Sequence, residues 1–389
     1  MTISNNLLEV MLQALFLLGN AIAFYILKDV KSSYFRFFFL FFAFLLGLMI
    51  NYDGHEADIS RYLRYPEIYS DVSWVEILLG KDFIIPALAK LISYVSDSPR
   101  LFAIIMYEIY AMLFLKSLSI VTKGSSHFDV YSVATLFLVY SYTNFNALRF
   151  SMATLFFMWC VLEILINNNR KYQYVIFLTP FIHFSYWMMM PLIFVHRYLR
   201  NRFSLCIAIF ILSFLFITPA VSYKINSLAG QYFSQSIEET VSLYASEDGL
   251  EYMNKRYSSD LAQRSFRGLV AYYSFDVKRY TLMAILFIIS VYVAIKNKRA
   301  SGGTYLLSFS LLSFALANIA SNVSNGDRFF HFAGAAFIFL LFYMRYPSQE
   351  DFYEEYNIVN SRVILLKIAQ IVVIVTGMLG IFASRYLYA

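Results

Sequence analysis

The sequence predicts an all-α, polytopic integral membrane protein with about ten to twelve transmembrane helices plus re-entrant or short outer-face helices. Three observations carry this. Over 389 residues the chain is 60% hydrophobic and 14% charged, with a mean hydropathy of +0.60. A water-soluble domain cannot bury that much apolar side chain. Apolar stretches near the length that crosses a bilayer recur along the chain, and Lys/Arg clusters punctuate them. The net charge of +6 belongs to those clusters and does not suggest nucleic acid. Forty Phe and 32 Tyr suit lipid-facing packing, interface belts or sugar stacking. Cys160 and Cys206 both fall inside apolar segments, so neither a disulfide frame nor a metal site follows.

In chain order, the candidate spans are 7–27, 34–50, 100–121, 130–147, 149–166, 203–221, 279–295, 303–322, 329–345 and 363–383. The first lacks a basic leader and a small-residue cleavage site, and reads as an uncleaved span. Four basic clusters set the orientation: Lys28, Lys31 and Arg36; Arg170 and Lys171; Arg197, Arg200 and Arg202; Lys296, Lys298 and Arg299. Placing all four in the cytoplasm leaves the N-terminus outside and two segments unable to cross. Phe83–Val95 is too short and bears Lys90. Tyr172–Val195 is interrupted by Pro180 and Pro191, has basic clusters at both ends, and reads as a re-entrant hairpin with His183 near its tip. No internal repeat is visible. The chain 1–389 therefore reads as a single polytopic membrane domain with two outer elaborations. One is an acidic loop over 51–99 with a short amphipathic helix; its Asn51–Asp82 part has seven acids against three bases. The other is a large loop over 222–278 carrying Lys255, Arg256, Arg264 and Arg267.

Polar residues at membrane depth are expensive and mark function or a satisfied helix contact. Arg149 opens an apolar run and His183 sits inside another. In the acidic loop, Asp53, His55, Glu56 and Asp58 match no specific metal-ligand spacing, whereas Asp58, Arg61 and Tyr62 would share one polar face of a short helix. Asp327 and Arg328 stand at the outer mouth of a late span, with His331 one turn inside. The expectation is that Asp58, Arg149, His183 and Arg328 converge on one outward-facing cavity. Paired guanidinium groups suit a phosphate diester, and a carboxylate or imidazole beside them could take a proton from a hydroxyl nucleophile. Glycosyl transfer from a lipid-linked sugar pyrophosphate needs that combination.

The order of these features resembles the EpsG-like and O-antigen polymerase (Wzy-type) family of bacterial polysaccharide polymerases. Asp58 and Tyr62 match its D-x-x-x-Y loop, Arg149 and Ala153 its R-Q-x-x-A-like span start, and His183 and Ser185 its F-H-x-S-like segment; Asn169, Arg170 and Lys171 match the basic turn before it, and Arg328 its late outer-mouth arginine. Phe150 replaces the family's glutamine, and Glu56-Ala57 stands where Gly-Thr is common. The resemblance covers about residues 34–200 well, and the rest by hydropathy and loop placement. It implies a GT-C-like fold and a cofactor-independent glycosyltransferase at the periplasmic face of the bacterial inner membrane, working with undecaprenyl-pyrophosphate-linked oligosaccharides and, in similar enzymes, a chain-length regulator. The growing polymer would pass en bloc to a newly flipped repeat unit. Arg149 and Arg328 would hold pyrophosphate and His183 or Asp58 would be the base. Arg61 and Tyr62 would contact sugar or phosphate, and Arg256, Arg264 and Arg267 would clamp the second lipid pyrophosphate, with His331 also on the substrate-binding side.

Three other classes stay open. A ligase-like enzyme concentrates arginine and histidine in one large outer loop; here 222–278 has arginines without histidine. A flippase or transporter more often shows repeat symmetry and mid-span charges. A membrane acyltransferase would use its histidine catalytically, but no accompanying motif is present.

Overall fold

The computed structural model describes residues 33–49, 58–122, 148–217, 266–295, 302–321 and 327–345, with scattered positions between 367 and 375. Every regular element among them is helical. The expected spans 7–27, 130–147 and 363–383 lie wholly or largely outside the described residues. Among the described residues, three helices are long and apolar enough to cross a membrane: Pro99–Val121, Lys278–Ile295 and Gly302–Ile319. The described chain forms two compact units, one running to Pro191 and taking in the chain from Leu341, the other covering Leu192–Leu340.

The first unit begins with α1 (Ser33–Met49). Then come four short helices: α2 (Asp58–Leu63), α3 (Tyr65–Tyr69), α4 (Trp74–Leu79) and α5 (Ile84–Ser93). These occupy the region read as an acidic loop with one short helix. Local interactions place three of them. Ser73 Oγ accepts the Glu76 N–H at 3.2 Å while Glu76 Oε2 accepts the Ser73 N–H at 3.1 Å, a reciprocal box that starts α4. Pro66 sits in the first turn of α3, where its missing N–H is harmless. Lys90, on α5 and only 6% exposed, donates to the carbonyls of Tyr69, Ser70 and Val72 at 3.4, 2.9 and 2.6 Å. Its ammonium also lies 5.8 Å from the Trp74 ring and 5.7 Å from Tyr94. At ten residues, α5 matches the expectation of a segment too short to cross.

α6 (Pro99–Val121) packs against α1 and against α7 (Leu148–Leu165). Phe35, Phe39, Ala43 and Gly47, spaced four apart, form the buried stripe of α1. Phe39 stacks on Phe114 at 5.8 Å between centroids. At Gly47 the helices approach so closely that an added Cβ would lie 2.6 Å from Ile104 Cα. The other face of α1 leaves Phe37, Phe38, Phe41 and Phe44 exposed. α7 ends where Asn168 takes a left-handed φ of 51° and the Asn169 N–H reaches back to the Glu163 carbonyl at 3.0 Å.

The chain from Tyr172 is broken, as expected, but the prolines are not the breaks. α8 (Tyr172–Val175), a 3₁₀ turn over Ile176–Leu178 and α9 (Thr179–Ile182) end at His183, which is extended at φ −150° and ψ 119°. A second 3₁₀ turn covers Phe184–Met188, and α10 (Met190–Leu199) follows. Pro180 and Pro191 each fall in the first turn of a new helix, the position proline tolerates. Tyr186 is fully buried and anchors this segment to α7: its hydroxyl lies 2.6 Å from Thr154 Oγ1, and its ring packs on Phe150 and Phe157.

The second unit holds most of α10, then α11 (Phe203–Ser213), α12 (Phe266–Ile295), α13 (Gly302–Ile319) and, as far as Leu340, α14 (Asp327–Arg345). α12 starts at Phe266 rather than near 279, so the end of the region read as an outer loop is helical. Its 30 residues rise about 45 Å, against a hydrocarbon core of about 30 Å. α13 buries hydroxyls without stranding them, since Ser310 and Ser313 each donate to the carbonyl four residues back. His196 Nε2 lies 2.9 Å from both the Tyr305 carbonyl and Ser308 Oγ, tying α10 to α13.

Gly47→Ala forces α1 and α6 apart. A loss of about 1–3 kcal/mol is expected in thermal melting of the purified protein, while Leu48→Ala on the exposed side should stay within about 0.5 kcal/mol.

Candidate functional site

The site in the first unit is built around one carboxylate. Asp82 lies in the turn between α4 and α5, where Gly80 has just ended α4. Its Oδ2 accepts from Arg149 Nη1 at 2.8 Å, and its Oδ1 accepts from the Phe184 backbone N–H at 2.6 Å. One side chain thus ties the first turn of α7 to the break after His183. Both partners of the ion pair are mostly enclosed, with side chains 19% exposed at Arg149 and 15% at Asp82.

Arg149 makes two further contacts. Its Nη2 donates to Tyr62 Oη at 3.2 Å, and the guanidinium carbon stands 4.8 Å from the Tyr62 ring centre. Arg61 Nη2 reaches the same hydroxyl at 3.4 Å, so two guanidinium groups meet at one phenol oxygen. Arg149 Nε is buried and has no partner. Of the five N–H bonds of this guanidinium, two are committed to Asp82 and Tyr62 and the Nε–H is enclosed, which leaves one on each Nη nitrogen. Tyr62, Tyr65 and Tyr69 run edge to face with centroids 5.4 and 5.1 Å apart.

At His183 the ring faces Phe150 edge-on at 5.3 Å. Its Nδ1 accepts the Ser185 N–H at 3.3 Å and lies 2.6 Å from Ser185 Oγ. That pattern assigns Nδ1 as the acceptor nitrogen of the neutral ring, with the proton on Nε2. Phe150 is buried between His183 and Tyr186.

Electrostatics follow from burial. Enclosure pushes the Asp82 carboxyl above the ordinary carboxylate value; Arg149, the Phe184 N–H and Lys81 pull it back only in part. Burial also lifts the Tyr65 phenol to about 12, with Arg149 the largest opposing influence, so Tyr65 stays a neutral hydroxyl beside a cation.

Arg149, His183, Arg61 and Tyr62 are therefore gathered in one unit, with Asp82 linking the Arg149 and His183 segments. The sequence reading did not single out Asp82, which stands there as one of seven acids in the outer tract. Its only local signal is its place between Gly80-Lys81 and an apolar run. Asp58 opens α2, one turn before Arg61 and Tyr62, and its side chain lies outside the described residues. The expected shared polar face divides: Arg61 is exposed and Tyr62 buried. Arg328 and His331 occupy the first turns of α14 in the second unit, Arg328 half-buried and His331 exposed. Arg256, Arg264 and the Arg267 side chain lie outside the described residues. Among the described residues, no three His, Cys, Asp or Glu side chains come together to hold a metal ion.

Comparisons with protein-family models, curated proteins and solved structures return no match for this chain. The functional reading rests on the residues themselves.

Asp82→Ala strips acceptors from both Arg149 and the Phe184 N–H, and is expected to cost about 1–3 kcal/mol in unfolding experiments; Asp82→Asn, which keeps one acceptor oxygen, should cost less. The folded chain holds the Asp82 proton more tightly than the unfolded chain does. Asp82 thus adds stability that is complete below the ordinary carboxylate pKa and is withdrawn as pH rises through the folded value. The fall in melting temperature across that acidic window should be shallower in Asp82→Asn than in the wild type.

Proposed function

We propose that this protein is a membrane glycosyltransferase, a polysaccharide polymerase of the EpsG-like or O-antigen polymerase type. It joins repeat units carried on undecaprenyl pyrophosphate at the periplasmic face of the inner membrane. The observation that carries this reading is Arg149: a cation held from two sides by Asp82 and Tyr62, with one N–H left on each Nη nitrogen, and tied through Asp82 to the helix break at His183. Forked donors in a fixed plane suit the oxygens of a pyrophosphate leaving group, whose charge grows as the glycosidic bond breaks. Asp82 positions Arg149, so the guanidinium does not reorganise when that charge appears.

His183 is the base in this reading. A sugar hydroxyl takes the place of Ser185 Oγ at Nδ1 and gives up its proton as it attacks. Arg61, exposed at the edge of the Tyr62 hydroxyl, meets sugar or phosphate. Arg328 and Asp58 keep their assigned roles, on pyrophosphate and as the alternative base, as part of the same proposal. A chain-length regulator is the expected protein partner. The 2.6 Å pairing of Ser185 Oγ with His183 favours one second reading, acyl transfer through Ser185.

The test is transfer between purified lipid-linked repeat units in vesicles. Arg149→Ala is expected to lower turnover about 10²–10³-fold. Arg149→Lys should fail to rescue it, because an ammonium lacks the fork. Full activity in Arg149→Lys would sink the leaving-group role. Ser185→Ala should leave transfer within about tenfold, since Ser185 only occupies Nδ1 in this scheme; loss of all turnover, with an acylated Ser185 trapped in the wild type, would favour acyl transfer.

A further inference from the structure

At the other end of α1 and α6 from the Gly47 contact, the two helices enclose a cleft of about 180 Å³ lined by Arg36, Leu40, Met112, Leu115, Lys116 and Ser119. Among the described residues, two cations and no acid border it, over an apolar floor. Lys116 is exposed and aligned, its ammonium 4.5 Å from the centre of the Trp159 ring. Ser119 Oγ donates to the Lys116 carbonyl at 2.8 Å, which leaves its oxygen lone pairs as acceptors. The lip of the cleft continues into exposed apolar side chains, Met112 on α6 and Phe37 and Phe41 on α1. Such a surface offers a charged head, a hydroxyl acceptor and a greasy track in one place.

Its position along the helices is equally specific. Trp159 lies ten residues beyond Arg149 on α7, about 15 Å along the axis at 1.5 Å per residue. Arg170 and Lys171, both exposed, follow the end of that helix, so they stand with Arg36 and Lys116 at the end of the unit away from Asp82. By the positive-inside rule this is the cytoplasmic end. The inner leaflet there carries anionic lipid, whose attraction for basic side chains is strongest close to the surface.

We propose that this cleft binds an anionic phospholipid of the phosphatidylglycerol kind. The phosphate sits between Arg36 and Lys116, a headgroup hydroxyl donates to Ser119 Oγ, and an acyl chain lies along Leu40, Met112 and Phe41. The site is separate from the Arg149 centre and depends on the chain being embedded in a bilayer, not on the reaction it performs. A lipid seated there bridges α1 and α6 at the end away from the Gly47 contact.

The experiment is lipid titration of the delipidated full-length protein, read by native mass spectrometry and by melting temperature. Phosphatidylglycerol is expected to bind and raise the melting temperature, and phosphatidylcholine to do so far less. Arg36→Gln and Lys116→Gln should each weaken phosphatidylglycerol binding about fivefold, and Lys116→Arg, which keeps both charge and ring stacking, should restore it. Ser119→Ala should narrow the preference for phosphatidylglycerol over phosphatidic acid. Equal binding of phosphatidylcholine, or unchanged phosphatidylglycerol binding in the Arg36→Gln/Lys116→Gln double variant, would overturn the proposal. So would equal stabilisation by soluble glycerol phosphate, which would make the cleft a site for a free anion. None of these readouts requires glycosyl transfer, so the proposed reaction can fail while this site stands.

Discussion

The first unit depends on how one carboxylate is shared. Asp82 accepts from a guanidinium and from a backbone N–H, and those donors belong to segments far apart in sequence. Extended backbone at His183 leaves the next amide without a helical partner. Asp82 supplies the missing acceptor. The same atom group fixes Arg149, so repair of the broken helix and placement of the cation are one event.

Burial and pairing pull on that carboxylate in opposite directions, and burial wins. Its pKa rises in spite of an arginine at 2.8 Å. A pair held at such expense is poor evidence of stabilisation, since desolvation commonly exceeds the Coulomb gain. Geometry is the better account of what it does. Tyr62 holds the guanidinium from the other side by hydrogen bond and ring face, and Phe150 and Tyr186 wedge the His183 turn against α7. Apolar packing sets the scaffold, and the polar groups choose one orientation within it.

Much of this was legible in the sequence. Helix length follows hydropathy, and the helices at Ser33–Met49, Pro99–Val121, Leu148–Leu165, Gly302–Ile319 and Asp327–Arg345 lie within a few residues of the predicted segments. Arg149 and His183 stand out because an ionisable side chain in an apolar run is conspicuous. Asp82 was not legible for the converse reason. It lies in a tract already rich in acids, and its meaning comes from partners 67 and 102 residues away, which no local period reports. The prolines marked the broken segment yet not the break, because each starts a helix instead of ending one. In the acidic region the Ser73–Glu76 box starts α4 and Lys90 ties α5 to the turn after α3, polar contacts that a hydropathy profile does not register.

Lys90 has a consequence of its own. Three carbonyl oxygens converge on its ammonium much as they would on a bound metal ion, with two aromatic rings completing the shell. The chain therefore carries its own covalently tethered cation at the centre of the loop that joins the tyrosine helices to the segment bearing Asp82. A loop organised by calcium loosens when the ion is chelated or diluted. This cation is part of the chain, so neither chelation nor dilution removes it from the loop between Tyr62 and Asp82.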